Sequence, residues 1–295
     1  MVSLERLVVV RRIAAEPVTT AAYRQGESLR LDGRSNRLLW VDMRDGAMFS
    51  AHPDGMTTGP ATRLPVAPAV GCVAPASAGG FLVAAGRDVL AVAADGSVST
   101  VLPDVLADDR CLLNDGVCAP DGSFWVGSQS HARLPEAALY HVTTDGSVQT
   151  VLTGVTVSNG ISFTPDGRLM YYVDTLPGRA LEVFDVIGGA LRHRRQVFRF
   201  EQGNPDGIAV DESGCVWVAL WDAALVQRIS PDGRVLLEVD VGTARPTSVA
   251  LHGGYCYIST ASVGVEADDE RAGRIHAAEV GVGAAPTPCW AGGVS

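Results

Sequence analysis

Short apolar runs alternate with turn-forming dipeptides along almost the whole chain. Asp-Gly pairs stand between these runs at 45–46, 54–55, 95–96, 121–122, 145–146, 166–167 and 232–233. Such pairs between apolar segments indicate tight turns that join β-strands. Helical spacing of apolar residues is weak, and we expect at most a turn or two of helix, within 101–110 and 131–138. The pattern predicts an all-β protein.

One apolar run recurs six times at a nearly constant spacing. The residues at its centre are Trp40, Val83, Trp125, Tyr172, Trp217 and Tyr257. They lie 43, 42, 47, 45 and 40 residues apart, and this period is typical of a β-propeller with one four-stranded blade per repeat. A pair of packed sandwiches does not explain such a regular interval. The sequence therefore predicts a six-bladed β-propeller around a central tunnel, with residues 1–295 forming one domain.

Open sheet edges would be removed if the two ends of the chain shared a blade. A strand-like segment at 7–13 precedes the first full repeat, and segments at 274–280 and 288–291 follow the last. We expect residues 7–13 to pair into the final blade.

Composition narrows the classes of function. The 295 residues are 47% apolar and 19% charged, which suits a folded protein with a sizeable core. The net charge of −10 argues against nucleic acid and against an anionic membrane as partners. All 23 basic residues are arginine, so lysine-based Schiff-base and phosphate-loop chemistry is excluded. A small-molecule substrate remains the expected partner, and nothing in the sequence indicates the oligomeric state.

Cysteine usage and hydropathy favour an intracellular location. The six cysteines lack the spacing of zinc sites, and most stand among apolar residues, so we expect them to be reduced and buried. Neither a signal segment nor an apolar stretch of about 18 residues is found. The sequence predicts a cytoplasmic protein.

Polar residues recur at one phase of the repeat, eleven or thirteen positions before the centre of a run. Glu27, Asn114, Asn159 and Asp206 occupy this phase, and Asp115 follows Asn114. Equivalent positions of propeller blades converge on the tunnel, so these oxygen donors would form one ring at its mouth. Hard oxygen ligands suit Ca²⁺, Mg²⁺ or Mn²⁺. The alternative is that Asn-Gly and Asp-Gly at these positions are ordinary turns.

Two further residues stand near the same mouth. Trp221 follows the central strand of the fifth repeat, where lining the site and packing in the core are equally compatible with the sequence. His131 follows the central strand of the third repeat and is placed at the channel mouth or on the surface.

The segments around these residues resemble the SMP-30/gluconolactonase/LRE-like family. The matching segments are Gly26-Glu27, Leu113-Asn-Asp-Gly116, Val157-Ser-Asn-Gly-Ile161, Pro205-Asp-Gly-Ile208 and Arg245-Pro-Thr-Ser-Val249. They occur in the order of the family and cover essentially the whole chain.

The resemblance implies a lactone hydrolase with one divalent cation in the tunnel. It implies that Glu27, Asn159 and Asp206 are the metal ligands and that Asn114 binds the substrate, with Asp115 beside it. It also implies that Asp206 is the general base. Ca²⁺ is the expected cation, with Mg²⁺, Mn²⁺ and Zn²⁺ as alternatives.

Two departures from the family pattern bear on the substrate. The first motif reads Gly26-Glu-Ser-Leu29 instead of Gly-Glu-Gly-Pro. Leu112 stands where sugar lactonases of the family carry an arginine, and Arg110 lies one pleat further along the same expected face. We therefore expect a substrate more apolar than an aldonolactone. Two other functions remain open: Lewis-acid catalysis of isomerisation, elimination or cyclisation, and metal or ligand binding without catalysis.

Overall fold

The computed structural model describes residues 10–293, and it contains 27 strands and no helix in that range. The expectation of short helical turns is wrong, because residues 103–110 and 131–136 form turns and bends instead. The strands form six main sheets arranged around one axis, which confirms the six-bladed β-propeller.

The first three blades follow one another along the chain. Blade one contains β3 (Gly26–Asp32), β4 (Arg37–Asp42), β5 (Ala47–Ala51) and β8 (Thr62–Pro65), with a hairpin of β6 (Pro53–Asp54) and β7 (Thr57–Thr58) before β8. Blade two contains β9 (Cys72–Pro75), β10 (Phe81–Ala85), β11 (Asp88–Val92) and β12 (Val98–Leu102). Blade three contains β13 (Cys111–Cys118), β14 (Phe124–Ser130), β15 (Ala137–Val142) and β16 (Val148–Val155).

The last three blades include strands from both ends of the described chain. Blade four contains β17 (Ser158–Phe163), β18 (Leu169–Asp174), β19 (Ala180–Ile187) and β20 (Ala190–Arg199). Blade five contains β21 (Asn204–Val210), β22 (Val216–Trp221), β23 (Leu225–Ile229), β24 (Val235–Asp240) and an added strand, β1 (Arg11–Ala14). Blade six contains β25 (Pro246–His252), β26 (Tyr255–Thr260), β27 (His276–Glu279) and β2 (Glu16–Pro17).

The ring closes through a different segment from the one expected. β1 pairs in parallel with β24 and extends blade five, so the expectation that residues 7–13 enter the final blade is wrong for the part that is described, and 7–9 lie outside the described residues. Blade six is completed by β2, which pairs antiparallel with β27. The backbone N–H of Val18 continues this pairing by donating to Ile275 at 2.8 Å.

The core consists of six apolar clusters, and each cluster fills the space between two adjacent blades. The central residues of the six repeated runs are all buried, at 0% or 1% exposure. Burying large apolar side chains on both faces of each sheet is the main favourable term in the stability of this architecture. The six cysteines form no disulfide, and five of them are buried.

The C-terminal part of the described chain crosses the tunnel at the end where the innermost strands finish. Ala284 forms a β-bridge with Asp211 in blade five, and Trp290 forms one with Ala76 in blade two. Trp290 is 4% exposed and packs into the cluster between blades two and three. Residues 284–288, together with the C-terminal ends of the innermost strands, enclose a cavity of about 70 Å³. Among the residues that the structure describes, no helix is long and apolar enough to span a membrane.

Candidate metal centre and substrate cavity

The innermost strands contact one another in the cyclic order β3, β9, β13, β17, β21, β25 and back to β3. Their N-terminal ends border a second cavity, of about 370 Å³. The residues that line it come from blades one, three, four and five and are Gln25, Glu27, Asn114, Gln129, Arg133, Val157, Asn159, Thr175, Leu176, Asn204, Asp206, Trp221 and Asp222. The structure thus brings Glu27, Asn114, Asn159 and Asp206 together, as the phase of the repeat predicts.

Each of these four residues lies where the pairing of an innermost strand with its neighbour changes register. The shift falls between Glu27 and Arg30 on β3, and between Leu113 and Gly116 on β13. It falls between Ser158 and Ile161 on β17 and between Pro205 and Ile208 on β21. A bulge leaves residues unpaired and re-aims their side chains. The bulges therefore direct one polar side chain from each of blades one, three, four and five into the cavity.

The glycines beside these residues allow the innermost strands to approach closely. A Cβ at Gly160 would lie 2.6 Å from the carbonyl oxygen of Asp206. A Cβ at Gly71, in blade two, would lie 2.5 Å from the carbonyl oxygen of Asn114, so only glycine fits there. At this position blade two therefore has no side chain to direct toward the tunnel. Asn159-Gly160 and Asp206-Gly207 lie inside strands, so the alternative that they are hairpin turns is wrong.

Two carboxylates face the cavity without a cationic partner. Within residues 10–293, neither Glu27 nor Asp206 forms an ion pair. Desolvation, with smaller contributions from the charges of Asp115 and Asp42, raises the pKa of Glu27 to about 8. Desolvation, followed by the charge of Glu27, raises the pKa of Asp206 well above its usual range. Two such groups in one tunnel repel each other, and a divalent cation would relieve that cost.

A chain of hydrogen bonds orients the amides. Asn159 Nδ2 donates to Thr175 Oγ1 at 2.7 Å, and Thr175 Oγ1 donates to the Pro205 carbonyl at 2.8 Å. Asn159 Oδ1 accepts from Asn114 Nδ2 at 2.8 Å. This partner arrangement fixes which atom of the Asn159 amide is the oxygen. The second lone pair of Asn159 Oδ1 remains to bind a cation. Hydrogen-bond partners of this kind commonly orient metal ligands.

Asp115 lies outside the cavity lining. Its Oδ1 accepts from Arg30 at 2.8 Å and from the backbone N–H of Gly116 at 2.8 Å, and both side chains of the ion pair are about nine-tenths buried. Because Arg30 neutralises Asp115, a bound cation would have to balance the carboxylates of Glu27 and Asp206. The substrate contact expected of Asp115 stays a prediction, and the structure places this residue beneath the cavity floor.

Leu112 and Arg110 are both absent from the cavity lining. Leu112 is half-buried and pairs with Gln129, a lining residue on β14. Arg110 is exposed and forms ion pairs with Asp108 and Glu136. Arg110 therefore does not reach the cavity from the face on which the sequence placed it.

Several residues of the cavity were missed by sequence reasoning. Gln129, Arg133, Asn204 and Asp222 come from strand ends and loops, where the repeat has no fixed phase. Asp42 and Asp174 end the second strands of blades one and four. Their carboxylates accept from the backbone N–H groups of Gln25 and Val157, both of which line the cavity. The Val-Asp pair at the end of both strands is the sequence signal that could have identified these two supporting carboxylates.

Trp221 lines the cavity, and the guanidinium of Arg245 lies 4.8 Å from the centre of its ring. This favours the site over core packing for Trp221. His131 is exposed and is not among the lining residues. The donor set at the floor consists of carboxylate and amide oxygens, which fits a hard divalent cation.

The chain belongs to the SMP-30/gluconolactonase/LRE-like family, whose model matches residues 25–262. It is 35% identical to regucalcin of Danio rerio over 210 residues, which covers 68% of this chain and 71% of that protein. It is 31% identical to 6-deoxy-6-sulfogluconolactonase of Pseudomonas putida over 272 residues, which covers 88% of this chain and 92% of that protein.

The fold is also that of a solved structure described as a calcium-binding protein, regucalcin, from Agrobacterium tumefaciens. The TM-score is 0.87 with 21% sequence identity, over 96% of this chain and 99% of the other. At this identity the likeness establishes the propeller and no more.

Proposed function

We propose that the protein hydrolyses a small lactone and that one divalent cation, Ca²⁺ by preference, is required. The observation that carries the proposal is the pair of carboxylates, Glu27 and Asp206, that share one cavity floor with oriented amide oxygens and without a cationic partner among the described residues. The lactonases among the relatives support the reaction class. The calcium-binding description of the related regucalcin supports the choice of cation.

The cation would be held by Glu27, Asn159 and Asp206. When bound, it supplies a Lewis acid toward the lactone carbonyl oxygen, as divalent cations do in ester hydrolysis. Glu27 is held by Gln25, whose Nε2 donates to Glu27 Oε1 at 3.2 Å. Thr175 holds the Asn159 amide with its oxygen toward Asn114.

Asp206 is the proposed general base. A water molecule attacks the carbonyl carbon while Asp206 accepts its proton. The C–O bond of the ring then breaks, and the proton passes to the departing alkoxide oxygen, which yields a hydroxy acid. Asp206 is buried and lines the cavity, which is the placement that a carboxylate general base needs.

Asn114 is proposed to contact the substrate through its oxygen. Its Nδ2 is already engaged by the Ser158 carbonyl and by Asn159 Oδ1, both at 2.8 Å. Among the described residues, its Oδ1 accepts one bond, from Gln129 Nε2 at 3.1 Å. The remaining lone pair can accept from a substrate hydroxyl.

The cavity lining bears on how polar the substrate is. Ten of the thirteen lining side chains are polar or charged, which supports a hydroxylated lactone. Leu112, on which the expectation of a more apolar substrate depends, is not one of them. We therefore propose a polar lactone and keep the apolar one as a competing outcome of the test.

The test is turnover of gluconolactone and of an alkyl γ-lactone by protein stripped with EDTA and reloaded with Ca²⁺, Mg²⁺, Mn²⁺ or Zn²⁺. We expect hydrolysis of gluconolactone to disappear with EDTA and to return with one cation, in proportion to the metal bound. Faster turnover of the alkyl lactone would support the apolar alternative. Metal binding without hydrolysis of any lactone would overturn the proposed reaction.

A further inference from the structure

An arginine reaches the cavity from a loop that the repeat does not predict. Arg133 lies in the segment 131–136 between β14 and β15, and it lines the same cavity as Glu27 and Asn114. The segment is ordered by Ser130: its carbonyl accepts from the Arg133 N–H at 3.2 Å, and its Oγ accepts from the Leu134 N–H at 3.2 Å. Arg133 itself adopts a φ of 55°, a conformation that is uncommon for residues other than glycine.

The charges around the cavity leave this guanidinium unbalanced. Arg133 is the only cation among the lining residues in the part of the chain that the structure describes. Asp222, the lining carboxylate near the rim, pairs with Arg245 at 3.0 Å. Glu136, the acid of the same loop, is occupied by Arg110 at 3.3 Å and by the Ser130 hydroxyl at 2.7 Å.

The other lining carboxylates, Glu27 and Asp206, belong to the cavity floor. Asp42 and Asp174 lie behind the lining and accept from backbone N–H groups. A divalent cation bound at the floor would balance Glu27 and Asp206, and Asp115 is already paired with Arg30. Among the lining residues that the structure describes, the guanidinium of Arg133, at the rim, is then the charge that no lining carboxylate balances. A guanidinium in this position binds planar or tetrahedral oxyanions through paired N–H groups.

From this juxtaposition we infer that the substrate is a lactone with an additional anionic group, and that Arg133 is the residue that selects it. The inference rests on the proposed lactone hydrolysis and names the substrate class for that site. The carboxylate that hydrolysis itself creates forms at the carbonyl carbon, above the buried floor, whereas Arg133 is exposed at the rim. The group that Arg133 binds is therefore at the far end of the substrate from the reacting carbonyl.

The experiment compares wild type with Arg133→Gln on three lactones, neutral gluconolactone, glucarolactone with its carboxylate, and 6-phosphogluconolactone. The control is Arg168→Gln, an exposed arginine that does not line the cavity. We expect Arg133→Gln to lower kcat/KM at least tenfold on one or both anionic lactones, through KM, and less than twofold on gluconolactone. The more affected lactone identifies carboxylate or phosphate as the preferred group.

A binding measurement separates this inference from the proposed reaction. We expect calorimetry to show that wild type binds glucarate at least fivefold more tightly than gluconate, and that Arg133→Gln removes the difference. Raising the salt concentration should weaken the preference, because an exposed charge is screened. If gluconolactone is hydrolysed but Arg133→Gln affects neutral and anionic lactones equally, the inference is overturned and the hydrolysis stands. If no lactone is hydrolysed but the glucarate preference and its loss are observed, Arg133 is an anion-binding residue and the reaction is wrong.

Discussion

The two ends of the tunnel are built from the same innermost strands, yet their cavities differ in volume and in the residues that line them. At the N-terminal end of β3, Glu27 faces an open, polar cavity of about 370 Å³. Four residues further on, Leu31 borders a cavity of about 70 Å³ that residues 284–288 help to close. β21 makes the same change between Asp206 and Val210.

The bulges account for the difference. Glu27 borders the register shift of β3 and Asp206 lies within that of β21, and regular pairing resumes at Arg30 and at Ile208. Arg30 and Asp115 form their ion pair between the two ends. Within one strand, a change of register therefore separates the residues that line one cavity from those that line the other.

The largest effect is expected at the open end. Replacing Asp206 with Asn removes the proposed base and one ligand charge while keeping the shape of the side chain. We expect kcat/KM to fall about a thousandfold. The melting temperature measured in EDTA should stay equal or rise, because one of two repelling carboxylates is gone. Asp232→Asn, in an exposed turn, is the control, and an active Asp206→Asn protein would contradict the assignment.

The boundary between the two ends is tested by Arg30→Met. This change leaves Asp115 buried and without its partner, which typically costs about 3–5 kcal/mol of stability. Urea denaturation measures the loss. The double variant Arg30→Met with Asp115→Asn should recover most of it, since no unpaired charge remains. If the single and double variants were equally unstable, lost packing around Arg30 would be the cause.

The closed end should respond in stability alone. Trp290→Ala removes a buried side chain from the cluster between blades two and three, and we expect a loss of about 3 kcal/mol. The kcat/KM of the folded fraction should stay within twofold of wild type. Cys289→Ser, at the half-buried neighbouring position, is the control. A selective loss of activity in Trp290→Ala would show that the two ends are coupled.

The smallest effect is expected from deletion of β1, the added outer strand of blade five. Removing residues 1–13 deletes most of β1, which is an added fifth strand of blade five, and we expect a loss of about 1 kcal/mol with the fold retained. Removing residues 1–19 also deletes β2 and should abolish cooperative unfolding, because blade six loses its outer strand. Circular dichroism with thermal melting distinguishes the two. Equal damage from both deletions would assign the closure to β1.

The fold and the floor of the site were predictable because both repeat. Each blade has a buried aromatic or aliphatic centre, and counting back from it finds Glu27, Asn114, Asn159 and Asp206. The pairing of Asp115 with Arg30 joins residues 85 positions apart in the sequence, and no local pattern encodes it. β2 is two residues long, so its role in closure has no hydropathy signal. Arg133 and Asp222 lie in connections, where sequence and length vary from blade to blade.

The order in which the site is completed follows from where its parts lie in the chain. Glu27 is in the first blade, Asp206 is in the fifth, and the ring is shut by residues 16–17 against 276–277. A chain still being synthesised can hold every proposed ligand before blade six exists, but it cannot hold them around a closed tunnel. A cation bound by Glu27, Asn159 and Asp206 would therefore tie the earliest blade to a late one, and its affinity would report whether the ring is complete.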